Sequence, residues 1–259
     1  HLLHLLTQLL AHYRRPEPAH TTFALALAEL LQPARHTIAQ LWSLLGFCTF
    51  PARAYRLFQR YFDPDRAFRL LFEQMLSSLP ADEPLLLVLD STQVPRTGKR
   101  MPGVGLLRAG NTVPFAKGLH KAQRWVGAFT LTPAEYGYRR AIVVSWEPAF
   151  PARTTPAPEG AQASEVQRGL ELVHRVRAWM DACGRSEQPL VVLGDGAYSA
   201  QAFVQGLPAR TWAIVRVRAD ARLCALPEGG RRRVYGARFA PRDIWRARRG
   251  QAVPVAGRW

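Results

Sequence analysis

The rhythm of apolar and polar positions changes once along the chain, near residue 80. Before it, apolar residues recur every three or four positions, in Phe23–Leu31, Thr37–Leu45 and Ala67–Leu76. That spacing predicts short amphipathic helices. Gly46 and Pro51 interrupt the pattern, and Asp63-Pro64-Asp65 offers a helix start. Leu79 to Pro84 reads as a linker. After it, Leu85–Asp90 and Pro189–Asp195 are apolar runs that each stop on an aspartate. Continuous runs of this kind read as strands buried on both faces. Between them, Trp125–Thr132 and Arg139–Trp146 flank a turn around Pro133–Gly137, a hairpin pattern. A long loop broken by Pro95, Gly98, Pro102, Gly103, Gly105 and Gly110 precedes that hairpin, and a Pro-rich loop over 148–158 follows it. Ser164 to about Cys183 reads as a helix, with Ser164 at its start and Gly184 closing it. A short helix over 200–205 and a strand over 211–218 come next. Residues 219–259 show no helical period and read as the start of a β-rich or irregular insertion.

The order is strand, two-stranded hairpin, helix, strand, helix, strand. It predicts an α/β fold with a ribonuclease-H-like mixed sheet flanked by helices, preceded by an all-helical region. The expected divisions are a helical region over 1–80, a catalytic core over 81–223 and a basic insertion over 224–259. In this topology the first and fourth strands lie side by side, which brings Asp90 and Asp195 toward a shared metal pair. Carboxylate oxygens suit Mg²⁺ or Mn²⁺, and a two-metal site activates the attacking oxygen and stabilises the leaving one.

Charge sharpens this expectation. Lys and Arg number 35 against 19 Asp and Glu, a formal net charge of +16. A balance so basic points to a polyanionic partner, DNA or RNA. The 48% hydrophobic and 21% charged fractions exclude general disorder. Cys48, Cys183 and Cys224 are isolated, which fits a reduced, cytoplasmic protein without a zinc or disulfide framework. No apolar run is long enough to span a membrane, and the first residues lack the pattern of a signal peptide. The chain opens on His1 and closes on Arg258-Trp259, so a fragment of a longer protein is expected.

The motifs around the aspartates carry a resemblance. Leu89-Asp90-Ser91-Thr92, with the basic loop Arg96-Thr97-Gly98-Lys99-Arg100, resembles the first catalytic segment of prokaryotic insertion-sequence transposases with an Asp-Asp-Glu triad. Lys117 to Trp125 is similar to the stretch leading into their second strand. Val192-Leu193-Gly194-Asp195-Gly196-Ala197-Tyr198 is similar to their second Asp motif, and Val215 to Leu223 to the strand and turn that follow. The resemblance spans about 85–223. It implies a DDE endonuclease that nicks transposon ends and transfers the strand into target DNA, with Asp90 and Asp195 as catalytic metal ligands. It also implies Mg²⁺ or Mn²⁺ as cofactor, a homodimer or larger assembly on DNA, and a nucleoid-associated place in a prokaryotic cytoplasm.

The family pattern requires a third carboxylate, usually a Glu on a helix. After Asp195 the chain offers Asp220, Glu228 and Asp243. Glu228 sits in Leu226-Pro227-Glu228-Gly229-Gly230, a turn that fixes a ligand poorly. Asp220 and Asp243 each have an Arg close by. The third ligand is therefore expected beyond Trp259. Lys117, His120, Lys121, Arg124, Arg216 and Arg218 are candidate phosphate contacts, against the alternative of a solvated basic surface. Arg231–Arg233, Arg246, Arg248 and Arg249 read as sequence-independent contacts or a solvated tail. Trp125, Trp146, Trp179 and Trp212 are expected in the core. The N-terminal helices, with Arg35, His36, Arg53, Arg56 and Arg60 between them, fit either a helix-turn-helix-like DNA-binding unit or a simple packing domain. Two other functions remain open: a catalytically inactive relic that binds DNA, and a ribonuclease-H-like nuclease without strand transfer.

Overall fold

A computed structural model describes residues 7–8, 10–11, 13–31, 37–47, 51–98, 101–108, 118–134, 137–150, 160–225 and 236–247. Lys117, Glu228, Cys48, Arg35, His36, Arg231–Arg233, Arg248 and Arg249 lie outside the described residues.

Two of the predicted N-terminal helices are α1 (Pro16–Leu31) and α2 (Ile38–Leu44); a further helix, α3 (Ala52–Arg56), runs on as a π-helical turn over Leu57–Tyr61 and carries Arg53 and Arg56, which were expected between helices. They close on a small core of Leu25, Ala28, Leu41, Trp42, Ala54 and Leu57. Thr37 caps α2 by accepting from the Gln40 N–H. Helix α4 (Pro64–Ser77) begins as the Asp63-Pro64 pattern requires: the Asp63 side chain accepts from the Arg66 N–H. Its apolar stripe, Phe72, Met75 and Leu76, joins the core beneath the sheet rather than that of α1–α3.

The sheet is built from β1 (Leu85–Pro95), β2 (Gly105–Arg108), β3 (Leu119–Leu131), β4 (Ala141–Pro148), β5 (Leu190–Gly194) and β6 (Thr211–Val215). β1 sits between antiparallel β3 and parallel β5, β6 lies parallel outside β5, and β3 also pairs with β2 and β4. This is the ribonuclease-H-like arrangement. β1 and β3 outrun the predicted strands: their far portions pair Val94 with Gln123 and Pro95 with Ala122, and β2 pairs with the start of β3. The segment read as a long polar loop therefore holds β2, part of a small three-stranded arm. At four residues, Gly-Leu-Leu-Arg, β2 is too short among the surrounding Gly and Pro breakers to show a strand pattern in the sequence.

Helix α5 (Glu165–Ala182) returns the chain from β4 to β5 and covers one face of the sheet. Its start is a capping box, with Ser164 accepting from the Gln167 N–H and the Gln167 side chain accepting from the Ser164 N–H. Gly184 follows its end at φ +74°. Leu172, Val173, Val176 and Met180 meet Leu85, Leu87, Leu89, Leu190 and Val192 in a fully apolar core. The final segment, expected to be β-rich or irregular, holds one element outside that reading, a short helix. It contains a small hairpin of β7 (Leu223–Cys224) and β8 (Arg238–Phe239), then a short helix α7 (Pro241–Ala247). A five-residue helix α6 (Gln201–Gln205) precedes β6.

Buried arginines brace the α5–β5 connection. Arg177 donates to Asp181, to the Gln188 carbonyl at 2.7 Å and to the Arg185 carbonyl at 2.7 Å. The Gln188 amide in turn donates to the carbonyls of Pro80 and Glu83, tying the linker before β1 to the turn before β5. Arg177→Leu strands two carbonyls in a buried place. It is expected to destabilise the fold by about 2 kcal/mol, read as a lower midpoint in urea unfolding with an unchanged slope.

Candidate active site

The parallel pairing of β1 and β5 sets the site. Leu85 lies opposite Leu190, and the register holds through Val88 opposite Leu193. The pairing ends there: Asp90 lies two residues past the last β1–β5 pair, and Asp195 follows β5 directly as the cap of the next turn, so both stand where the paired part of these two strands ends. Both aspartates are exposed. The Ser91 N–H donates to Asp90 Oδ1 at 2.9 Å, and the Ala197 N–H donates to Asp195 Oδ1 at 2.9 Å. The second contact caps a 3₁₀ turn over Gly196–Ser199, so the end of β5 is held by its own side chain. Among the described residues no Lys or Arg forms a salt bridge with either carboxylate. Two uncompensated carboxylates supply hard oxygen donors, a set that fits a divalent cation.

The surroundings differ on the two faces of the sheet. Leu85, Leu87 and Leu89 face α5, so strand alternation turns Leu86, Val88 and Asp90 to the other face. Asp90 pairs with Gly127, and Gly127 with Trp146. A Cβ on Gly127 would stand 2.6 Å from the Phe129 ring and 2.8 Å from Trp146. Glycine here lets an edge-to-face aromatic pair lie across the strand beside Asp90. On β6 the same alternation exposes Trp212, Ile214 and, beyond the strand, Arg216 and Arg218. Trp212 is 55% exposed, which corrects its expected place in the core: the face of the edge strand that carries it has no described element against it. Trp125, Trp146 and Trp179 are partly buried.

Tyr198 is fully buried between α5 and β5, and its hydroxyl finds no hydrogen-bond partner among the described residues. The ring sits in a notch made by two glycines: a Cβ on Gly169 would fall 2.4 Å from it, and one on Gly194 2.7 Å. Burial pushes the phenol well above its usual range, and the negative charges of Glu165, Asp195 and Asp90 push it further while Arg124 opposes them.

The candidate phosphate contacts fall in separate places. His120 and Lys121 lie on the arm formed by β2, the start of β3 and the end of β1, which stands beyond the point where β5 stops. Gln123, accepting from Arg96 Nε and donating to the Pro102 carbonyl, braces that arm. Arg124 pairs with Glu165 at 3.4 Å and is partly buried. Arg218 is held by Asp220 through two contacts of 3.0 Å, and that ion pair lowers the Asp220 pKa. Asp243 accepts from the Ala240 N–H beside Arg242. Among the described residues no three His, Cys, Asp or Glu side chains form a group that could hold a metal ion. Glu165 and Tyr198 were not legible as site residues from sequence spacing. The signal available was topological: the helix that follows β4 must start at the sheet edge where β1 and β5 end.

The family model for the DDE superfamily endonuclease matches residues 5–256. Among solved structures, the chain is similar to a Mos1 transposase paired-end complex with left transposon end, at 13% identity over 79% of this chain and 60% of that one, with a TM-score of 0.26. A Mos1 mariner paired end complex with Mn is similar at 12% identity over 74% and 56%, with a TM-score of 0.25. The chain thus spans well under two thirds of the length of either. No curated protein matches it. No helix among the described residues is long and apolar enough to cross a membrane. With the match running over nearly its whole length, the chain belongs to the DDE superfamily endonucleases, whose members are metal-dependent nucleases.

Proposed function

We propose that the protein is a DNA transposase that cleaves at transposon ends and joins the freed strand to target DNA. The observation that supports this reading is the parallel β1–β5 pairing, since Asp90 and Asp195 each follow its last pair, Val88–Leu193, by two residues. In this reading Asp90 and Asp195 hold Mg²⁺, or Mn²⁺, between them. When bound, the cations supply Lewis acidity to the scissile phosphate and lower the pKa of an attacking water.

The protein's own groups do the rest. The rigid strand ends hold both carboxylates at fixed separation, and the Ser91 and Ala197 N–H groups hold their orientation. In this reading His120, Lys121, Arg124, Arg216, Arg218 and Lys117 meet phosphates on either side of the scissile bond, with Arg124 and Arg218 exchanging their partners Glu165 and Asp220 for phosphate. The net charge of +16 favours DNA of any sequence by counterion release. The helices over 13–62 have a core of their own, which supports a separate DNA-binding unit within the expected 1–80 region, ahead of a catalytic region over 81–223 and a basic segment over 224–259. Paired DNA ends call for a homodimer or larger assembly.

Asp90→Asn and Asp195→Asn are each expected to lower Mg²⁺-dependent nicking of supercoiled plasmid at least about a hundredfold while leaving plasmid binding unchanged. Equal nicking by the two variants and the unaltered protein would sink the proposal, as would plasmid binding with no cleavage by any of them. Joined products alongside nicks separate a transposase from a nuclease that only hydrolyses. Binding should also weaken steeply with salt, and Arg216→Ala should flatten the slope of log affinity against log salt by about 0.9.

A further inference from the structure

The arm has an outer face that simple phosphate contacts do not explain. β3 is its central strand, with β2 on one side and the end of β1 on the other. Directly paired residues of antiparallel strands share a face, and successive residues alternate between faces. Leu106 pairs with Lys121 and Arg108 with Leu119, so these four side chains lie on one face. The opposite face carries Leu107 and Ala122, which are buried. On the first face all four side chains are exposed, Leu106 at 65% and Leu119 at 67%.

Two leucines this exposed on one small face, set crosswise with two cations, ask for an occupant that is apolar and anionic at once. Charge narrows the choice. From Ser91 to Arg124 the chain carries seven Lys and Arg and no Asp or Glu. Among the described residues neither Arg108 nor Lys121 has an ion-pair partner. A polyanion fits such a surface, and the stacked bases of a duplex are its apolar part.

Position and bracing agree. β3 keeps one unbroken register against β1 from Ala122 to Thr130, so Lys121 and Leu119 lie on the same side of the strand as Gly127, the partner of Asp90. They precede Gly127 by six and eight residues, which at about 3.3 Å per residue is roughly 20–26 Å. Along a duplex that is roughly six to eight base pairs at about 3.4 Å each. The root of the arm is held: Gln123 bonds Arg96 and the Pro102 carbonyl, and the Phe150 ring packs on Gly103 and edge-on to Trp125.

We propose that this face is a DNA-bending wedge. Leu106 and Leu119 press into the minor groove and partly unstack a base step, while Arg108 and Lys121 hold the phosphates beside it. The duplex then bends at a fixed distance from Asp90. This inference rests on the reading of the protein as one that acts on DNA, and adds a deformation to it.

The test uses the full chain and a 30-base-pair duplex of arbitrary sequence with a fluorophore at each end, intact or with a central two-base mismatch. The unaltered protein should bring the ends closer on binding, and should bind the mismatched duplex about tenfold more tightly, because its unstacking is already done. Leu106→Thr with Leu119→Thr should abolish both the approach of the ends and the preference for the mismatch. Leu106→Met with Leu119→Met, which keeps an apolar wedge, should retain both. Arg108→Gln and Lys121→Gln should weaken binding to the two duplexes equally, each flattening the slope of log affinity against log salt by about 0.9. Thermal unfolding identifies a variant whose arm has collapsed; the methionine pair and the unaltered protein then decide alone. A threonine pair that bends DNA and prefers the mismatch as the unaltered protein does overturns the inference. So does an unaltered protein that binds without bending, or a threonine pair whose sole effect is to dissociate a DNA-free oligomer in sedimentation. Nicking is read separately: a protein that bends DNA and never nicks it keeps this inference and loses the transposase reading.

Discussion

The site depends on one constraint, the parallel register between β1 and β5. Backbone hydrogen bonds between two central strands, with apolar side chains packed around them, allow no slip. A shift of one residue would turn Leu87 and Leu89 out of the core and Asp90 into it. The same pairing that buries Leu190 and Val192 carries the chain on to Asp195, just past the end of β5 and next to the strand that bears Asp90.

The second layer of control comes from α5. Its apolar stripe seals one face of the sheet, while its arginines are spent on backbone: Arg168 on the carbonyls of Pro148 and Gly160, Arg177 on those of Arg185 and Gln188. Arg175 joins Glu147 of β4 to Asp65 of α4, which fastens the last N-terminal helix to the sheet. Gly169 and Gly194 then admit Tyr198 as a wedge between helix and strand. A strongly basic chain has thus assigned several of its cations to internal duty. The remaining ones, on the arm and beyond β6, form its outward electrostatic surface.

Much of this order was readable in one dimension. Leu85–Asp90 and Leu190–Asp195 declare themselves because a strand buried on both faces has no room for polar residues until it leaves the sheet. The hairpin of β3 and β4 and the limits of α5 followed from turn and capping residues whose chemistry is local. What escaped was nonlocal. β2 looked like loop because four residues among Gly and Pro breakers show no strand pattern. Trp212 looked like core because an aromatic in a strand is usually covered, and only the position of β6 at the sheet edge leaves it exposed. The ion pair of Arg124 escaped as well, because its partner, Glu165, lies on another element.

The sequence by itself determined the kind of fold and the basic character of the chain, and it singled out the two aspartates as candidate acids, since each rests on residue type and short-range pattern. Only the tertiary structure decided which charges are available and which acids share an edge. Those depend on strand register and on the direction in which a crossover helix returns. Pairing between residues a hundred positions apart leaves no mark in the periodicity of either segment. The pairing of Glu165 with Arg124, which joins α5 to β3, is therefore a property of the folded sheet.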